Sequence, residues 1–122
     1  MSRDARLYLD DVVEAAGRIA EYLRGMDYAA FQADRRTQDA VVRNLEIIGE
    51  AARALPDEVK ASAPEIDWRK VVGLRNILVH HYFGVNLPIV WDLVQTKLAA
   101  LSMACRRLSV AFAPDGDARD GG

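Results

Sequence analysis

Between Asp4 and Arg24 the apolar residues Leu9, Val12, Ala16, Ile19 and Leu23 recur at alternating steps of three and four, while Arg6, Asp10, Glu14 and Glu21 lie off that stripe. Apolar spacing near the helical period with charges opposite predicts an amphipathic α-helix, closed by Gly25. The segment through Tyr28 and Phe31 reads as a connector with one short turn. A second helix should begin between Asp34 and Thr37. Its stripe of Val41, Leu45, Ile48, Ala52 and Leu55 again steps by four and three, and Pro56 ends it because proline lacks the N–H that continuation needs. Residues 57–66 form a polar link with a short turn around Glu58 to Ala61, ahead of Pro64. Asp67 is placed to N-cap a third helix from Trp68, predicted to end between Tyr82 and Gly84. The last helix carries Pro88 near its first turn, where proline is tolerated, then Val90, Val94, Leu98, Leu101, Cys105, Leu108 and Phe112 on one stripe. It is predicted to be the longest element.

After Ala113 the run Pro-Asp-Gly-Asp-Ala-Arg-Asp-Gly-Gly has nothing to bury and is expected to be disordered. No alternating strand pattern and no internal repeat is visible. Four main amphipathic helices joined by short links predict an all-α antiparallel bundle, with one domain over residues 1–112 and a tail over 113–122.

Composition narrows the picture. With 122 residues and 51% hydrophobic content the chain can bury one core, although chains this short often gain stability by oligomerising. Sixteen Lys plus Arg against eighteen Asp plus Glu give a formal charge of −2, so no global positive field attracts nucleic acid or anionic membrane and any polyanion site must be local. The single cysteine, Cys105, cannot form an internal disulfide, and its place on an apolar stripe predicts a buried small hydrophobe in a reducing compartment. Neither a secretory leader nor an apolar run of ~18 residues is present, so the expectation is a cytoplasmic protein that engages no membrane.

The chemistry is concentrated in Gly73-Leu-Arg-Asn-Ile-Leu-Val-His-His-Tyr-Phe-Gly-Val-Asn86, where Arg75, Asn76, His80, His81 and Tyr82 interrupt an aliphatic helical pattern. At ~100° per residue, Asn76 and His80 lie one turn apart on one side, whereas Arg75 and Tyr82 stack on a neighbouring side. A straight helix does not converge all four, but fraying near Tyr82 or a second copy across a two-fold axis would. Arginine's guanidinium fork suits a phosphate. Histidine titrates near neutrality and can take a proton from a ribose 2′-hydroxyl or give one to a leaving 5′-oxygen. Together they suffice for RNA scission without a metal or other cofactor, leaving a 2′,3′-cyclic phosphate, with Arg75 stabilising the added charge. Spacing alone is weak warrant, since an Arg and a His five apart often occur by chance.

The run Arg75, four residues, His80, one residue, Tyr82 resembles the R-x-x-x-x-H-x-Y signature of the HEPN superfamily, and more closely that of its HepT toxins. Arg43-Asn-Leu-Glu-Ile-Ile-Gly-Glu-Ala51 looks like that family's second-helix block, Pro64-Glu-Ile-Asp-Trp68 like its lead-in, and Leu74 to Val85 like its active segment. The likeness extends to about residue 112. Asn86 stands where an aspartate would be expected after the Gly-Val pair. The resemblance implies a HEPN-like helical fold and an endoribonuclease toxin. It also implies a partner, a small nucleotidyltransferase antitoxin that transfers AMP to the signature tyrosine, here Tyr82. A dimer or higher assembly would bring two motifs face to face. By this reading Arg75 and His80 are catalytic, Asn76 and Tyr82 support them, and RNA is the substrate. A phenol beside the phosphate can donate a hydrogen bond to it, and a nucleotide attached there would fill the groove and occupy Arg75.

Other features have plainer readings. His81 points about 100° away from His80 and reads as spare. Glu46 and Glu50 could pair with Arg75 or hold a metal, but no histidine joins them at ligand spacing, and a charged helical strip is the simpler account. Asp10, Asp11 and Glu14 read as a solvated face. Arg69 and Lys70 are candidates for the RNA backbone, forming with Arg75 a local basic groove that Arg35, Arg36, Arg43 and Arg53 would widen if they share its face. Two non-enzymatic alternatives stand beside the ribonuclease: a helical module that binds nucleotides or a protein partner through the same groove, and a dimeric structural bundle.

Overall fold

Five short polar side chains start five helices. Asp4 accepts the backbone N–H of Arg6 at 2.8 Å, Asp27 that of Ala30 at 2.8 Å, Asp34 that of Thr37 at 3.0 Å, Asp67 that of Lys70 at 3.3 Å and Asn86 that of Ile89 at 3.2 Å. Each satisfies an N–H that a helix start leaves without an internal partner. Asn86, found where an aspartate was expected, therefore still performs a capping role. The structure is a computed structural model, and it describes residues 4–74 and 86–113.

The described residues are all-α. In chain order the helices are α1 (Ala5–Tyr22), α2 (Tyr28–Ala33), α3 (Arg35–Ala54), α4 (Asp57–Ala61), α5 (Trp68–Val72), α6 (Leu87–Thr96) and α7 (Leu98–Ala111). The chain turns after α1 at Gly25, whose φ of +76° lies in the left-handed region that favours glycine. The connector expected at Tyr28 to Phe31 is the six-residue α2. Gln38 secures its end by donating from Nε2 to the carbonyls of Phe31 and Gln32, both at 2.9 Å.

α1 packs along α3 and α7, α3 also meets α2 and α5, and α6 meets α7. Leu9, Val12 and Ile19 of α1, Val41, Leu45 and Ile48 of α3, and Cys105 and Leu108 of α7 are buried between them. These are the stripe positions. Phe31 is fully buried under the α6 residue Trp91, ring centroids 5.3 Å apart, and Tyr28 meets the same indole edge-on at 5.9 Å. Burying one such ring stabilises the fold by roughly 1.5–3 kcal/mol. The buried amide of Asn44 is satisfied at both ends: Nδ2 donates to the Ala40 carbonyl at 2.9 Å, and Oδ1 accepts from Arg18 on α1 at 3.3 Å. Ser109 Oγ donates to Asp10 Oδ1 at 3.0 Å, joining α7 to the start of α1. Cys105 is buried as expected, and burial pushes its thiol up to about 12.

Two expectations are corrected. The last helix is not one element: Lys97, at φ −116° and ψ −28°, separates α6 from α7. Thr96 Oγ1 donates to the Asp92 carbonyl at 2.7 Å, and such back-bonding by a β-branched residue tends to bend helices. The longest helix is consequently α3, with 20 residues against 10 and 14. The third predicted helix does not run unbroken from Trp68, since α5 closes at Gly73, the residue type after proline least suited to a helix interior. Leu74 is again helical and buried. The predicted helix end between Tyr82 and Gly84, and the tail beyond Ala113, lie outside the described residues. No described helix is long and apolar enough to cross a membrane.

Candidate functional site

The approach to the signature is built from short-range polar contacts on a long-range anchor. Ile66 and Trp68 are half-buried against the core, and the Trp68 indole N–H donates to the Ala63 carbonyl at 3.1 Å. That bond staples the turn between α4 and α5. Glu65, inside the same turn, pairs with Arg107 of α7 at 2.8 Å, and Arg107 also approaches the Ser62 carbonyl at 3.5 Å. The Glu65 backbone N–H, and then the Arg107 guanidinium, hold the Glu65 carboxyl below the usual carboxylate range. The turn is thus fastened at three points before Asp67 caps α5.

Arg69 and Lys70, the candidates for the RNA backbone, lie on α5 and are exposed. The Lys70 ammonium stands 4.0 Å from Asp67 Oδ2 with 84% of its side chain exposed, a geometry that leaves the charge open to a polyanion. Arg75, Asn76, His80, His81 and Tyr82 lie outside the described residues. Their placement relative to α5 and to one another therefore stays an expectation from the sequence.

Among the arginines named as a widening of the groove, Arg43 lies 3.6 Å from Glu46 and Arg35 lies 3.9 Å from Asp39, both within α3. The Arg43 contact gives Glu46 a neighbour one turn away, in keeping with the plain charged-strip reading. Among the described residues no group of three or more His, Cys, Asp or Glu side chains is placed to hold a metal ion.

One feature of this region was not foreseen. A cleft of about 400 Å³ opens between α3, α5 and the junction of α6 with α7. Ile48, Leu74, Leu93 and Leu101 contribute to its walls, and Lys70 and Lys97 stand among its charged groups. Leu74 directly precedes Arg75 in the chain. Lys97 is exposed at the junction of α6 with α7. The Thr-Lys pair directly before Leu98 was the only available signal.

Comparison with known proteins agrees with the family resemblance. A family model described as ribonuclease HepT-like matches residues 12–108. A Methanocaldococcus jannaschii protein assigned as an RNase is 40% identical over 96 residues, covering 79% of each chain. A Thermococcus cleftensis protein assigned as ribonuclease HepT is 41% identical over 101 residues, 83% of this chain and 92% of that one. A second M. jannaschii protein assigned as an RNase is 39% identical over 93 residues, 76% of this chain and 85% of its own. No solved structure matches. On the extent of the family match and on these identities, the chain belongs to the HepT-like ribonuclease family.

Proposed function

We propose that this protein is a metal-independent endoribonuclease toxin that cleaves RNA through Arg75 and His80. The observation that carries the reading is that the family match over residues 12–108 spans an intact Arg75, His80, Tyr82 series. In the reaction the ribose 2′-oxygen bonds to the adjacent phosphorus as the bond to the 5′-oxygen breaks. His80 accepts the 2′ proton or protonates the departing 5′-oxygen, water taking the other of the two roles, and Arg75 balances the charge that builds on the phosphoryl oxygens. The products are a 2′,3′-cyclic phosphate and a free 5′-hydroxyl. Asn76 and Tyr82 support the phosphate, and Arg69 and Lys70 hold the flanking backbone. A dimer or larger assembly places two copies of the segment together, and the cytoplasm supplies the RNA.

Control falls to a nucleotidyltransferase antitoxin. Attack of the Tyr82 phenol oxygen on the α-phosphorus of ATP releases pyrophosphate and leaves AMP on the chain, where it occupies the groove and pairs with Arg75. Tyr82 also remains a site residue of the unmodified enzyme.

The ribonuclease is tested by incubating the purified chain with RNA and mapping the new ends. Cyclic phosphates that disappear with Arg75→Ala are expected, whereas 3′-hydroxyl ends would exclude the mechanism. Co-expression with the nucleotidyltransferase should add the mass of one AMP at Tyr82, and an adduct on any other residue would remove that part of the proposal.

A further inference from the structure

We propose that the groove between α1 and α7 is a contact with a second copy of this chain, each copy seating its Met103 in the other's groove. The contact stands apart from the ribonuclease reading, since neither Arg69, Lys70 nor any other residue of α5 lines that groove.

The register of the two helices makes the groove. Ser109 Oγ donates to Asp10 Oδ1 at 3.0 Å, and the antiparallel course that follows sets Gly17 opposite Ser102 and Ala20 opposite Ala99. These small residues line a hollow of about 390 Å³. Gly17, Ala20 and Ala99 are exposed and Ser102 is half-buried, so the hollow opens to solvent. Gly17 is the informative member. It stands inside α1, where glycine weakens a helix relative to alanine. A Cβ at that position would meet no other atom within 4 Å, so the chain's own packing does not call for glycine. Bare backbone there admits a close approach from outside.

Beside the hollow stands a matching projection. Met103 and Val110 are 70% and 80% exposed, the most exposed large apolar side chains among the described residues. Seven residues apart, they share one side of α7 with Ala99 and Arg106. Methionine's unbranched thioether adapts to an irregular hollow. One patch thus carries both a hollow and the side chain that fits it, which is what an isologous two-fold contact requires. That self-complementarity selects a second copy over an unrelated partner.

Charge agrees with the shape. Arg106 lines the hollow and makes no ion pair among the described residues. The last turn of α1 carries Glu21 and no basic residue. Glu21 pairs with Arg24, but both side chains are largely exposed, and such a pair is weak enough to leave Glu21 able to accept a second cation. Seating Met103 over the partner's Gly17 runs the two α7 helices antiparallel. It brings Arg106 to the partner's Glu21, and the two-fold axis repeats the pair.

Sedimentation velocity on the full chain over a dilution series tests the contact, with circular dichroism to show that each variant is folded. The native chain should form an assembly that dissociates on dilution. Gly17→Gln places a good helix former in open space, so it should keep the fold while blocking the hollow. It and Met103→Asp should each halve the mass of the assembly at concentrations where the native assembly is complete, with the dissociation midpoint raised at least about tenfold. Arg106→Glu and Glu21→Lys should each weaken assembly a few-fold, and the double variant should regain it. A native chain that sediments as one copy at every concentration overturns the proposal. So does unchanged mass and midpoint in Gly17→Gln and Met103→Asp, which would leave the groove to a different protein. A double charge variant no better than the single ones overturns the seating of Arg106 at Glu21. If Met103→Asp fails to fold, Gly17→Gln decides.

Discussion

The frame of α1, α3 and α7 and the region that leads into the signature are made of different material. In the frame, aliphatic side chains close on one another and the buried amide of Asn44 has partners at both ends. In the lead-in, a five-residue helix stands on a turn held by one indole hydrogen bond, one partly exposed ion pair and the approach of Arg107 to the Ser62 carbonyl, and it presents Arg69 and Lys70 to solvent. The first region is built to persist and the second to meet something. Arg69 and Lys70 are thus displayed at the edge of a bundle whose core does not include them, so changes at these two residues and changes in the core should separate under mutation.

The sharpest way to break that contrast is to empty the frame. Phe31→Ala removes a fully buried ring between α2 and α6 and should cost about 3–5 kcal/mol in urea or thermal unfolding. A loss below ~1 kcal/mol would mean that the frame is looser than described. Trp68→Phe keeps most of the half-buried surface and deletes the bond to the Ala63 carbonyl. Its expected cost is about 1 kcal/mol, with a larger fall in cleavage rate than in stability, because the turn aims α5. Equal losses of both would make Trp68 part of the frame. Arg69→Ala should leave the melting temperature nearly unchanged, weaken RNA binding a few-fold and flatten its salt dependence. An unaltered salt dependence would remove Arg69 from the RNA path.

The smallest expected effect concerns acid. The Thr37 backbone N–H, and then its hydroxyl, hold the Asp34 carboxyl below its ordinary 3.8. A carboxyl depressed in the folded state contributes stability above its unfolded pKa and loses it as pH falls through the folded value. Asp34→Asn keeps a cap but not the titration. The native chain's advantage in melting temperature over Asp34→Asn should therefore be present near pH 6 and close as pH drops below about 4. A gap that widens in acid would contradict the assignment.

Much of the frame was legible in the sequence because local signals agreed there. Asp4 and Asp34 precede apolar stripes, Pro56 follows one, and Asp67 sits one residue before Trp68; α1, α3 and α5 begin accordingly. Legibility failed where a local rule was overridden without disturbing the pattern. The stripe through Val94, Leu98 and Leu101 continues across Lys97, so periodicity alone cannot report the interruption. Gly73 weakens a helix from within, yet the apolar run around it conceals a turn. The Glu65–Arg107 pair joins the α4–α5 turn to α7, a relation that spacing does not encode. For the site, Arg69 and Lys70 were readable as candidates and the structure shows both exposed, while Arg75, Asn76, His80 and Tyr82 lie outside the described residues. The cleft was not, since it arises from three elements meeting.

The central claim is tested most directly by RNA cleavage in excess EDTA with the unmodified chain and with folded His80→Ala. The account predicts that the unmodified chain cleaves without metal and that His80→Ala falls by at least about 10²-fold. Cleavage that stops with EDTA, or that His80→Ala retains in full, would contradict it.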